Sequence, residues 1–291
     1  MFISKLLMLV FAVAITGCGR AETAPYQIPD EVVKWPFKGP DKLITVRIPG
    51  GYRFWGGAAM SAILGPGYPD PDERRGFTTA IFAETLWPHM APRTPQNQHN
   101  FDVPGGGRGI SIKVGAIIDW GEKPEAQYEK ETMKFSRQSF NFNPDQFATR
   151  EEMEMERKFA FLKDTASFAG DGQKAYRFPL EPLPGKFGLL RVGIDLEKHS
   201  TRLDPKFASS IYDFYYLRNQ KGRLQTFIRC ESETVRDHED DPSSIYAPRC
   251  DQYFFFAPLN GEVEVSYRRK YLGDWRSIQT KTEQLLQSFI Q

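Results

Sequence analysis

The feature that most constrains the fold is a set of alternating runs in the last third of the chain. "SIYDFYYLR" (Ser210 to Arg218) reaches a turn at Asn219 to Gly222 and continues as "RLQTFIRC" (Arg223 to Cys230). "QYFFFAPL" (Gln252 to Leu259) then meets Asn260-Gly261, two residues that accept positive φ, and "EVEVSYRR" (Glu262 to Arg269) follows. Val263, Val265 and Tyr267 face one way at period two. Such runs, separated by hairpin signals, predict a four-strand antiparallel meander. A helix is predicted from about Asp274, a good N-cap type. It carries Trp275, Ile278, Leu285, Leu286 and Phe289 on one stripe, the face that would cover the meander.

Earlier segments read less sharply. "LITVRIPGGYRF" (Leu43 to Phe54), "GFTTAIFAETLW" (Gly76 to Trp87) and "GISIKVGAIIDW" (Gly109 to Trp120) have strand character. Pro124 opens a short helix with Tyr128, Thr132 and Phe135 on one face. Met153, Met155, Phe159 and Phe161 in "MEMERKFAF" lie at period two. This predicts a strand paired through Gly170-Asp171-Gly172 with "KAYRFPL". "GLLRVGIDL" (Gly188 to Leu196) is a further strand. The fold class is α+β: antiparallel β-meanders covered by a few helices, the last of them amphipathic. Asp119-Trp120-Gly121 and Gly273-Asp274-Trp275 each follow a strand and precede a helix, a pattern compatible with two similar halves. The organisation expected is a signal peptide at 1–17, a tether at 18–41, an N-terminal unit at 42–150 and a C-terminal unit at 151–291.

The chain has three cysteines, and one stands apart. Lys5 precedes an unbroken apolar run from Leu6 to Ile15. That run is about half the ~20 residues of a membrane-spanning helix and suits a signal-peptide core. Ile15-Thr16-Gly17-Cys18 resembles the bacterial lipobox. The resemblance implies cleavage before Cys18 and lipid on its thiol and amine. Several acyl chains anchor firmly where one does not. Gly19 stands where inner-membrane lipoproteins usually carry aspartate, which favours the periplasmic face of the outer membrane. Cys230 and Cys250 remain as an even pair in an oxidising compartment. A bridge closing residues 231–249 would contribute roughly 3 kcal/mol by loop entropy. His238 lies between them, but the spacing matches no usual zinc site.

Hydrophobic residues at 40% and aromatics at 14% supply a packed core. A formal charge of +1 gives no general attraction to nucleic acid. Residues that would announce chemistry are sparse. There is no G-x-S-x-G, H-E-x-x-H, C-x-x-C or P-loop pattern. The four histidines, His89, His99, His199 and His238, nominate no nucleophile, and neither cofactor nor metal is expected. "PGGGRG" (Pro104 to Gly109) precedes a strand rather than a helix and reads as a connection. Pro71 and Arg74 spoil any calcium reading of "DPDERRG". Between the paired cysteines, Asp237, Glu239, Asp240 and Asp241 gather acid in one restrained loop. That loop is either a solvated segment or a contact for a basic partner surface.

The lipobox, "LWPHMAPRTPQN" (Leu86 to Asn97), and the C-terminal series of strand, Cys230, Cys250, aromatic strand and Trp275 helix resemble one bacterial group. It comprises the periplasmic immunity lipoproteins encoded beside type VI secretion effectors, phospholipases above all. The resemblance implies an inhibitor, not an enzyme. Its partner would be a secreted phospholipase, and its membrane contact the lipid on Cys18. The alternatives are a lipoprotein binding module for envelope assembly or a small ligand, and a periplasmic hydrolase.

Overall fold

The computed structural model describes residues 29–37, 39, 41–53, 76–101, 107–117, 149–166, 168–170, 175–199, 211–232 and 247–291. Its centre is an eight-stranded sheet in the order β3-β4-β12-β11-β10-β9-β8-β7, antiparallel throughout. The strands are β3 (Ala80–Leu86), β4 (Gly109–Ala116), β7 (Glu181–Lys186), β8 (Leu189–Gly193), β9 (Tyr212–Arg218), β10 (Leu224–Glu231), β11 (Arg249–Phe256) and β12 (Gly261–Arg268). Two hairpins lie outside it: β1 (Glu31–Pro36) with β2 (Leu43–Ile48), and β5 (Phe168–Gly170) with β6 (Ala175–Arg177). The helices among the described residues are α1 (Arg150–Ala166), α2 (Leu196–His199) and α3 (Trp275–Phe289). None of them is long and apolar enough to cross a membrane. The α+β class is as the alternation predicts.

The predicted meander is β9 to β12, in sequence order across the sheet. Asn219 closes its first turn, its Oδ1 accepting from the Lys221 and Arg223 amides at 2.9 and 3.0 Å. The turn at Asn260-Gly261 forms with a different division of labour. Asn260 alone takes the left-handed conformation, at φ 46°. Gly261 already belongs to β12, and its reason is space. A Cβ there would stand 2.8 Å from Val114 Cγ1 and 3.1 Å from the Gly115 carbonyl oxygen.

One sheet face carries Ile112, Val114, Val263, Val265, Tyr267, Phe254 and Ile228, all buried against the α3 stripe of Trp275, Ile278, Leu286 and Phe289. The β1–β2 hairpin completes this core. Trp35 is fully buried, and its Nε1 donates to the Leu259 carbonyl at 2.6 Å. Asp274 occupies the position before α3 but makes no side-chain cap. On the opposite face α1 covers Phe214, Phe227 and Tyr253 with Met155 and Phe159.

Three expectations change. Residues 153–161 are helical rather than extended. Buried Met155 and Phe159, with Leu162 packed against them, follow helical spacing, while Phe161 is 48% exposed. Glu, Met, Arg, Lys and Ala are strong helix formers, and Glu154 pairs with Arg157 one turn on. The partner of "KAYRFPL" through residues 171–174 is instead Phe168–Gly170. Residues 31–36 of the expected tether are strand β1, because Val33 and Trp35 alternate inward despite the surrounding prolines. Finally, β3 and β4 come from the expected first unit and the other six strands from the second, so a single sheet crosses the boundary. The expected helix at Pro124 and the Asp119-Trp120-Gly121 tripeptide lie outside the described residues.

Candidate interaction surface

Cys230 and Cys250 stand directly opposite each other on β10 and β11 and are disulfide-bonded. Both are buried. The alternation of the two strands brings them to the same face, so the bridge ties the stems of the acidic segment. Those stems are pinned by further bonds. The Ser232 amide donates to the Ile211 carbonyl at 2.8 Å, and the Arg269 amide to the Pro248 carbonyl at 2.9 Å. The Arg269 guanidinium also donates to the carbonyls of Glu231, at 3.2 Å, and Ser232. Glu231 accepts the Arg249 amide at 3.1 Å. Asp237, Glu239, Asp240 and Asp241 lie outside the described residues, as does Cys18.

Beside these stems, on the α1 face, runs a paired polar strip. Arg229 Nη2 donates to Asp251 Oδ2 at 2.7 Å, and Ser266 Oγ donates to Asp251 Oδ1 at the same distance. The Arg229 guanidinium sits 4.9 Å from the Tyr212 ring centroid. Burial works most strongly against the Arg229 charge, but the Asp251 hydrogen bond and the charge interactions with Tyr253, Asp251 and Tyr212 together outweigh it and hold the cation above its ordinary range. Burial pushes the Tyr212 and Tyr253 phenols up. Lys158 of α1 reaches Glu262 and lies 4.4 Å from the Tyr253 ring centroid. Each cation of the strip thus has a carboxylate partner, Arg229 with Asp251 and Lys158 with Glu262 and Glu264. Among the described residues no group of three or more His, Cys, Asp or Glu is placed to hold a metal ion.

"LWPHMAPRTPQN" is a clasp. The Trp87-Pro88 peptide is cis, and Met90 takes φ 51°. Trp87 and Met90 are buried. Lys281 of α3 donates to the Pro88 carbonyl at 2.8 Å and lies over the Trp87 ring. Arg93 pairs with Glu84 at 3.0 Å. Asn97 folds the end of the segment back, its Oδ1 accepting the Thr94 amide at 2.7 Å. These residues hold β3 to the terminal helix. His89 sits in the turn of this segment, and His99 in the single 3-10 turn, Gln98–Asn100, that follows it.

Sequence reasoning expected β8 within Gly188 to Leu196 but overlooked its hairpin partner β7, because Pro182 and Pro184 argue against a strand. Prolines are admissible on an edge strand, and β7 is one. The available signal was Phe187-Gly188 between two apolar stretches. The two-residue turn pairs Lys186 with Leu189, with positive φ at both central positions.

No protein-family model and no curated protein matches the chain. Among solved structures, it is similar to an immunity protein of the Stenotrophomonas maltophilia type IV secretion system. The identity is 18%, the TM-score 0.48, and the match covers 92% of this chain and 95% of that one.

Proposed function

We propose that this chain is a lipid-anchored immunity protein of the outer membrane's periplasmic face, which binds and blocks a secreted phospholipase effector of the type VI kind. The observation that carries the reading is the Cys230–Cys250 bond between two stems pinned to the sheet. A disulfide belongs with export, and Ile15-Thr16-Gly17-Cys18 supplies the matching address. Fixed stems lower the ordering cost that a charged contact segment meets on binding. In this reading Asp237, Glu239, Asp240 and Asp241 steer a basic effector surface toward the sheet. The protein acts by occupying its partner, not by turning over substrate.

The test is reconstitution. The reading expects a lipase gene beside this one; the chain and that lipase are purified, and hydrolysis of phospholipid vesicles is followed with and without the chain. Stoichiometric inhibition with a stable complex is expected. Unchanged hydrolysis and no complex would overturn the reading.

A further inference from the structure

We propose that the β7–β8 tip, led by Phe187, is the contact that seats in an apolar, acid-rimmed pocket of the protein partner. This rests on the binding role just proposed and adds the site and its chemistry.

A two-residue turn with positive φ at both positions favours Asn, Asp or Gly. Gly188, at φ 76°, meets that demand without penalty. Phe187 takes φ 54°, a region that bulky L residues avoid. Folding recovers little in exchange, since Phe187 stays 54% exposed. Leu190, three residues on, is 55% exposed. An aromatic is thus held in an unfavourable conformation to present an apolar surface.

The tip is also fixed. Trp275 Nε1 donates to the Phe187 carbonyl at 3.1 Å, and Trp275 is itself buried in the core. The Phe187 ring lies against Gly273, where a Cβ would stand 3.4 Å from Phe187 Cε1. Rigid aromatic anchors of this sort are typical binding hot spots, because little side-chain freedom is lost on contact. Strand addition is not the mode of contact, because Pro182 and Pro184 remove two amides from β7.

Charge defines the rim. Arg276 is exposed, its guanidinium 5.0 Å from the Trp275 ring centroid. Lys186 precedes the tip in sequence, and Lys270 is exposed in the turn before Gly273. Asp274 is the one acid in that turn. Three basic residues against one acid in the segments that meet at the tip complement a pocket bordered by carboxylates. One pinned aromatic fits a shaped pocket better than a lipid surface, which asks for no particular backbone conformation.

Phe187→Asn separates contact from support, because asparagine suits the turn. Thermal melting and binding to the neighbouring-gene lipase are measured on the chain secreted without its lipid. The expected result is a melting temperature equal to or above wild type, with affinity at least tenfold weaker. Arg276→Glu should slow association severalfold. Binding of Phe187→Asn within twofold of wild type would overturn the proposal and leave the immunity role standing. A lowered melting temperature would make Phe187 a structural residue and overturn it too. So would flotation of the unlipidated wild type, but not Phe187→Asn, with phosphatidylglycerol–phosphatidylethanolamine vesicles, since the tip would then serve a membrane. A wild type that neither binds nor inhibits the lipase removes the underlying function as well.

Discussion

The Tyr267 hydroxyl donates to Gln252 Oε1 at 3.1 Å inside the core, where both residues are fully buried. Gln252 Nε2 in turn donates to Gln279 Oε1 of α3 at 3.1 Å, so one strand pair is registered against the helix through polar groups. Burial holds the Tyr267 phenol well above its ordinary range, and burial does the same to Tyr253. The unfolded phenols ionise near pH ~10. Below that both states keep the proton, and the stabilisation is fully present. Above it the unfolded chain sheds protons that the folded chain retains, so stability falls as pH rises. Urea midpoints should be flat to about pH 9 and drop beyond about pH 10. Tyr267→Phe should lose roughly 1–3 kcal/mol at neutral pH, by leaving Gln252 without its donor, and show a shallower alkaline drop.

Phe159 and Phe161 test the direction of α1. The Phe159 ring lies 5.0 Å from Phe227 and 5.3 Å from Tyr216, centroid to centroid. Phe159→Ala should cost about 3–5 kcal/mol in denaturant unfolding. Phe161→Ala, on the exposed side, should stay within about 1 kcal/mol. Equal losses would contradict the helix.

The unreduced, denatured chain should show no reactive thiol from Cys230 or Cys250. Cys230→Ser should expose one thiol and lower stability by roughly 3 kcal/mol. Labelling with a maleimide before and after reduction reads both.

Converting Asp237, Glu239, Asp240 and Asp241 to the matching amides should leave the melting temperature within a few degrees of wild type. Association with the lipase should slow and lose salt dependence. An unchanged on-rate at low salt would move the electrostatic contact elsewhere.

Exchange of residues 1–18 for a signal peptide cleaved without lipidation should move the protein from the membrane fraction to the soluble periplasmic fraction. Retention in washed membranes would contradict anchoring through Cys18.

The meander, α3, β3 and β4 were legible because one buried face imposes alternation or helical spacing on the sequence. Residues 153–161 were not. Phe161 completes a period-two pattern by accident, and burial of Met155 and Phe159 against Phe214 and Phe227 shows which period is real. Strands β1 and β7 were hidden by prolines that edge positions tolerate. The disulfide was legible from the cysteine count. The bonds that pin its stems were not, because Arg269 and Ile211 meet Ser232 only through the finished sheet. The strained tip was hidden for another reason: only coordinates reveal a positive φ at Phe187.

The seam between β4 and β12 joins residues 109–116 to residues 261–268. Strand β4 waits for a partner, β12, that leaves the ribosome, and crosses any membrane, well after it. Until then Ile112 and Val114 have no Val263 or Val265 to cover them. Contacts so distant in sequence close slowly. The same topology that makes a continuous sheet also keeps the growing chain open, and so threadable, until β12 arrives.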